Sequence, residues 1–232
     1  MTTLTIIIPV YNEVKTINTL LKRVLNLKIK KQVIIVDDFS NDGTRLFLNK
    51  YKKKINKIIF HKSNLGKGAA IKSAKKFIKG KYVVIQDGDL EYNPKDLLKL
   101  LKELKKKKFK AIYGSRVLYK NKYQNLKNFT HLFRIWGNIF LTNLSNIINN
   151  QTLTDAHTCY KMFDTNIFKK INLKEKGFAF CPEVTTKISK LKYQIKEVSI
   201  SYNGRSYDEG KKINSIDGLM AIYCLIKYRL ID

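Results

Sequence analysis

The chain has 232 residues, enough for one well-cored domain and too few for two comfortable ones. A hydrophobic share of 44% excludes disorder as the overall state. The 46 Lys plus Arg against 18 Asp plus Glu leave a net charge of +28, which fits phosphate-bearing ligands, an anionic membrane surface, nucleic acid, or simple lysine drift on a solvated face.

The first half alternates between two periodicities. Residues 4–9 are a continuous apolar run, read as a buried strand, and 14–27 carry apolar residues at helical spacing (Ile17, Leu20, Leu21, Val24, Leu25). The same reading predicts strands at 33–36, 57–61, 82–86 and 110–113, and helices at 43–51, 68–78 and 95–107, the last with Pro94 at its start. Strand–helix alternation of this kind implies an α/β fold, a mostly parallel sheet with helices on both faces. The second half departs from it. Residues 126–148 read as one or two amphipathic helices, 159–163 and 195–201 as short strands, 183–191 as a helix, and 219–230 as an apolar closing helix. No repeat or linker divides the chain, so a single domain over 1–232 is expected, with 1–116 as a ligand-binding half and 117–232 as a second half.

Cys159, Cys181 and Cys224 are odd in number and widely spaced, without a CxxC pair. That pattern disfavours a disulfide framework or zinc site and suits a reducing cytosol. The N-terminal run has neither a basic n-region nor a long apolar h-region, and no stretch reaches about 18 apolar residues, so neither a signal peptide nor a membrane-spanning helix is expected.

In an open parallel sheet, ligands bind beyond the carboxyl ends of the strands. Five predicted strands end in polar clusters there: Tyr11-Asn12-Glu13, Asp37-Asp38, Asn64-Leu65-Gly66-Lys67-Gly68, Asp87-Gly88-Asp89 and Gly114-Ser115-Arg116. Any one of them has a plain reading as a helix cap, since Asp, Asn and Ser favour that position. The pair Asp87 and Asp89 carries the sharper chemistry. Two carboxylates two residues apart repel each other unless a divalent cation lies between them and a phosphate. Glu91 stands within reach as a third, and oxygen-only ligands favour Mg²⁺ or Mn²⁺. Neither GxxxxGK[ST] nor GxGxxG occurs, which disfavours a P-loop or dinucleotide fold; Gly66-Lys67-Gly68 is read as shaping a helix start.

Taken in order, Ile8-Pro9-Val10-Tyr11-Asn12-Glu13, Val36-Asp37-Asp38, Asp42-Gly43-Thr44, Asn64-Leu65-Gly66-Lys67-Gly68 and Gln86-Asp87-Gly88-Asp89-Leu90-Glu91 resemble the family 2 glycosyltransferases. Gly114-Ser115-Arg116, the run from Thr154 to Lys161, the run from Gly177 to Glu183, and Tyr202-Asn203-Gly204-Arg205-Ser206 with Glu209-Gly210-Lys211-Lys212 narrow the resemblance to the dolichyl-phosphate mannose synthase type. That resemblance implies a GT-A fold and an inverting transfer of a hexose from a nucleotide-sugar donor, of the GDP-mannose or UDP-glucose type, to a polyprenyl phosphate. It implies donor contacts from Pro9, Tyr11, Glu13, Val36, Asp38, Asp87, Gly88, Asp89, Arg116, Arg205 and Lys211. Acceptor-phosphate contacts would come from Arg116, Arg134 and Arg205, metal contacts from Asp87, Asp89 and Glu91, and catalytic roles from Asp89, Arg116, Asp155 and Arg205. Gly88 stands where the family usually has Ala.

A phosphate-monoester acceptor is already anionic at neutral pH and needs positioning and charge balance more than a base. Asp155 would then orient an arginine or meet the donor sugar. With a glycan hydroxyl as acceptor, the alternative, Asp155 would serve as general base. His61, His131 and His157 lack mutual ligand spacing and are expected to pack. Glu183 has a capping and a catalytic reading. The segments 126–148 and 219–230 would place a cytoplasmic protein peripherally on the cytoplasmic face of a membrane. No nucleic-acid motif accompanies the charge, so no specific nucleic-acid partner is expected. Oligomeric state is not legible.

Overall fold

The computed structural model describes residues 2–118, 129–205 and 215–231, with side chains described from 135 in the second stretch and from 216 in the third. Seven strands form one sheet in the order β3-β2-β1-β4-β6-β5-β7. At its centre β1 (Leu4–Val10) pairs in parallel with β2 (Lys31–Asp37) and β4 (Tyr82–Ile85), and β3 (Lys57–Phe60) extends β2. All seven residues of β1 are buried. A strand covered on both faces reads as an unbroken apolar run because neither side-chain row meets water.

The far half of the sheet breaks the parallel pattern. There β6 (Lys161–Asp164) runs antiparallel between β4 and β5 (Ala111–Ser115), and β7 (Ile195–Ser199) adds in parallel to β5. Strands from residues 1–116 and 117–232 therefore share one sheet, with β6 inserted between two strands of the first half.

Helices cover the faces. In α1 (Ile17–Leu25) the residues Ile17, Leu20, Leu21 and Val24 are buried, and in α4 (Leu97–Lys105) Leu97, Leu100, Leu101 and Leu104 repeat the spacing. Each such side chain contributes about 2 kcal/mol by leaving water, which fixes these helices to the sheet despite their lysine-rich outer faces. The first half also contains α2 (Thr44–Lys50) and α3 (Lys67–Lys75); the second contains α5 (Phe129–Asn149), α6 (Thr165–Lys170), α7 (Phe180–Lys190) and α8 (Ser215–Leu230). A 3₁₀ turn at Pro94–Asp96 precedes α4, capped by Asn93, whose side chain accepts from the Lys95 N–H. The sequence periodicity missed α6: it is six residues long, too short to show a period, and is started by Asp164 accepting from the Asn166 N–H. The helix expected from residue 126 is described from Phe129, and residues 119–128 lie outside the described residues.

Because β2 lies on one side of β1 and β4 on the other, the connections after β1 and β4 leave in opposite directions. A crevice opens where their carboxyl ends diverge.

Candidate active site

Hydrogen bonds between loops build the β1 side of the crevice. Asn12 adopts φ 51°, and its Oδ1 accepts from the Asn41 N–H at 2.9 Å while its own N–H donates to Ser40 Oγ at 2.9 Å. The Glu13 N–H donates to Thr44 Oγ1 at 3.0 Å, and Asp42 accepts from the N–H groups of Val14 and Thr44. Asn12 and Asp42 thus tie the loops after β1 and β2 together, the plain role such residues hold at helix starts. Glu13 is held facing the crevice by Thr16, whose hydroxyl donates to Glu13 Oε2 at 2.7 Å and reaches the Gly88 carbonyl at 3.1 Å.

Arg205 closes the crevice from the chain's far end. Its Nη1 and Nη2 donate to the two Glu13 oxygens at 3.1 Å each, and Nη2 also meets Asp89 Oδ2 at 3.0 Å. Glu91 Oε1 lies 3.6 Å from Arg205 Nε and accepts from the Arg205 N–H at 2.9 Å, while Tyr202 Oη donates to Glu91 Oε2 at 2.9 Å. One guanidinium gathers carboxylates from the ends of β1 and β4. Burial works against the Arg205 charge, but Glu13, Asp89 and Glu91 raise its pKa.

Asp87 has a different partner. Lys67, the first residue of α3, places Nζ 2.5 Å from Asp87 Oδ1 and 3.2 Å from Cys159 Sγ. The Asp87 charge outweighs the burial of Lys67 and holds that ammonium well above the usual range. Asp89 is pushed up to about 7, first by burial, then by the charges of Asp87 and Glu91, against the pull of Arg205. Among the described residues, four carboxylates (Glu13, Asp87, Asp89, Glu91) share this crevice with two cations (Lys67, Arg205). A divalent cation beside Asp87 and Asp89 would relieve their mutual repulsion, and carboxylate oxygens suit Mg²⁺ or Mn²⁺.

Glu91 does not fit the three-acid metal set expected from sequence. Its oxygens are engaged by Arg205 and Tyr202, and the described residues contain no group of three or more acids, His or Cys arranged to hold a metal. Asp38 has a structural part as well. Its oxygens accept from His61 Nδ1 and the Leu65 N–H, and from the Gly66 N–H at 2.7 Å, so it organises the loop before α3. Pro9 and Val36 are buried partners across β1 and β2, which leaves only backbone for a ligand contact. Tyr11 is half-buried beside Asn12. Gly88 packs closely: a Cβ there would lie 3.3 Å from the Pro9 carbonyl oxygen.

A second polar pair lies beside the first. Arg116 Nε and Nη2 donate to the two oxygens of Asp155 at 2.6 and 2.7 Å, and the Arg116 N–H donates to Oδ2 at 3.0 Å. Asn138 Nδ2 adds 3.3 Å to Asp155 Oδ1. Asp155 is fully buried, and Glu197 fixes its loop by accepting from the N–H groups of Thr154 and Asp155. The Arg116 guanidinium stands 5.1 Å from the Tyr202 ring centre, so Tyr202 touches both polar groups. Arg134 belongs to α5 but its side chain, like that of His131 and all of Lys211, lies outside the described residues.

Glu183 turned out to support another loop. It accepts from the N–H groups of Lys174 and Glu175 and from Lys187 Nζ at 2.9 Å. Sequence reasoning missed Lys67, Tyr202, Thr16 and Glu197. Lys67 was the one within reach, because a lysine between two glycines after a strand is a visible signal; the other three act through contacts 43 to 111 residues apart in sequence, which no local pattern links.

A seven-stranded α/β sheet with an acid-lined crevice at the switch between β1 and β4 is the GT-A architecture. The family model for glycosyl transferase family 2 matches residues 5–172, and the chain belongs to that family of glycosyltransferases. It is 30% identical over 221 residues to an uncharacterised protein of Methanocaldococcus jannaschii, covering 89% of this chain and 93% of that one. It is 25% identical over 244 residues to the UDP-N-acetylglucosamine--dolichyl-phosphate N-acetylglucosaminyltransferase of Methanococcus voltae, covering 97% of this chain and 95% of that one. Among solved structures, glucosyl-3-phosphoglycerate synthase from Mycobacterium tuberculosis in complex with Mn²⁺, UDP and phosphoglyceric acid superposes with a TM-score of 0.72, at 14% identity, over 100% of this chain and 80% of that one. At that identity the likeness concerns the fold.

Proposed function

We propose that this chain transfers a hexose from a nucleotide-sugar donor to a polyprenyl phosphate, with inversion and with Mg²⁺ or Mn²⁺ beside Asp87 and Asp89. The carrying observation is the Arg205 bridge, which draws Glu13 and Asp89 to one point between β1 and β4, where burial and the charges of Asp87 and Glu91 push Asp89 up to about 7. The Mycobacterium tuberculosis synthase, solved with Mn²⁺ and UDP, and the Methanococcus voltae transferase, named for a dolichyl-phosphate acceptor, support both ends of the reaction.

The divalent ion, when bound, neutralises the donor diphosphate and the charge that builds on it as it leaves. Lys67, beside Asp87, adds a second positive charge at the same place. The acceptor phosphate oxygen forms a bond to the anomeric carbon from the face opposite the leaving group. The bond from that carbon to the diphosphate oxygen breaks with its electron pair remaining on the diphosphate, so an α-linked donor yields a β-linked product. No proton has to move, because the acceptor enters as an anion. Arg116, held rigid by buried Asp155, meets the acceptor phosphate, with Arg134 and Arg205 beside it, while Lys211 meets the donor. The four donors on the Asp155 carboxylate favour this orienting role over service as a base toward a hydroxyl acceptor.

Incubation with radiolabelled GDP- and UDP-sugars, with Mn²⁺ or with chelator, and with a polyprenyl phosphate or an oligosaccharide as acceptor, tests the reading. Label should enter the lipid fraction only with metal present. Label in the oligosaccharide alone, or transfer untouched by chelator, would overturn it.

A further inference from the structure

Glu183 lies fully buried in the first turn of α7. A buried carboxylate is costly unless its oxygens are occupied. These accept from the Lys174 N–H at 2.6 Å, the Glu175 N–H at 3.0 Å and Lys187 Nζ at 2.9 Å. One carboxylate on α7 therefore fixes the backbone of the segment that leads into that helix. The side chain of Glu175 is anchored separately, from α8: its Oε1 accepts from Tyr228 Oη at 2.5 Å and from Lys227 Nζ at 3.1 Å.

The anchored segment caps α3. The N-cap of that helix is Gly66, which has no side chain to accept from the N–H groups of the first turn. The Lys176 carbonyl takes that part, accepting from the Ala69 N–H at 2.9 Å. The fit is tight: a Cβ at Gly66 would lie 2.6 Å from the Lys176 oxygen, and one at Gly68 2.3 Å from the Glu175 oxygen. Between these two glycines stands Lys67. Its Nζ meets Asp87 Oδ1 at 2.5 Å and lies 5.9 Å from the ring centre of Phe178, two residues beyond Lys176. Its side chain is 14% exposed, so protein contacts rather than water set its position.

We infer that Glu183 is a positioning residue for the transfer. With Tyr228 it clamps residues 174–176, the clamped backbone sets the cap of α3, and the cap sets where Lys67 presents its ammonium beside Asp87. This rests on the transferase reading, in which Lys67 meets the donor diphosphate. A misplacement of roughly 1 Å caused by a remote change can cost a factor of about 10². A Glu183 that served the fold alone would also stabilise the chain, but its loss would act on diphosphate binding independently of Lys67.

A double-mutant cycle separates the two roles. Calorimetry would measure the Kd of UDP and of GDP, with Mn²⁺ present, for the wild type, Glu183→Gln, Lys67→Met and the double variant, with urea unfolding of each. The glutamine keeps one acceptor oxygen and the shape of the side chain. Should it fail to fold, Tyr228→Phe, which removes one anchor of Glu175, takes its place under the same outcomes. Positioning predicts that Lys67→Met weakens the nucleotide about tenfold or more. Glu183→Gln should weaken it in the same direction by less, and should add no further loss once Lys67 is Met. Equal losses with and without Lys67, or wild-type affinity in either single variant, would overturn the inference. Nucleotide binding with this coupling, but no label in a lipid phosphate, keeps the inference and discards the acceptor reading. A wild type that binds neither nucleotide discards both.

Discussion

Arg205 shows why single residues outweigh their neighbours here. A planar guanidinium serves Glu13 and Asp89 from one position, which a lysine point charge does not reproduce. Replacing Arg205 by Met should lower kcat/KM about 10² to 10³-fold, and Arg205→Lys should recover little of it; a lysine variant with wild-type kcat would show that the bridge is dispensable. His157 offers a pH test outside the acid crevice. The residue keeps some exposed surface, yet its Nε2 is buried without a partner, and burial followed by the Lys161 charge lowers its pKa from the usual 6.5 to about 4. Below 6.5 the unfolded chain takes up a proton that the folded chain refuses, so the contribution is present above 6.5 and is lost as pH falls toward 4. Between pH 7 and 5 the wild type should lose up to about 2 kcal/mol more than His157→Gln in urea unfolding; equal losses would place the ring in water.

Among the elements, α3 gives the sharpest contrast with propensity. Gly68 lies in its first turn, where Ala ordinarily stabilises a helix by about 1 kcal/mol. Here a Cβ would meet the Glu175 carbonyl oxygen at 2.3 Å, and at Gly66, with φ +90°, the Lys176 carbonyl at 2.6 Å. The two glycines let segment 175–177 cross the helix start at backbone distance. Gly68→Ala should therefore destabilise by about 2 kcal/mol or more, whereas Gly137→Ala, in α5 with nothing within 4 Å, should stabilise by about 1 kcal/mol. Opposite shifts in the urea midpoint check both, and a stabilised Gly68→Ala would mean the crossing segment gives way.

Across the whole molecule, apolar residues remain uncovered on two packed helices. Trp136 and Phe140 of α5 are 68% and 60% exposed, and Leu219 and Leu230 of α8 are 69% and 76% exposed. No helix among the described residues is long and apolar enough to cross a membrane. On a chain of net charge +28, exposed apolar residues such as these would suit the plane of anionic headgroups, where a lipid-linked acceptor would reside. Flotation with phosphatidylglycerol liposomes should fall as salt rises, and Trp136→Ser/Phe140→Ser should weaken it at every salt concentration. Flotation that ignores both salt and the double substitution would remove the membrane from the picture.

Periodicity and strand-end chemistry were readable from the chain alone. Buried strands such as β1 appear as unbroken apolar runs, α1 and α4 carry their own spacing, and the acids after β4 mark the crevice, because each signal is confined to neighbours in sequence. Tertiary contact decided the rest. It decided that β6 enters antiparallel between β4 and β5, that Asp38 serves the loop before α3, that Glu91 turns to Tyr202 and Arg205, and that Lys67 faces Asp87. Side-chain partners separated by tens to more than a hundred residues leave no mark on local pattern; they are chosen by packing, once the sheet has brought the loops together.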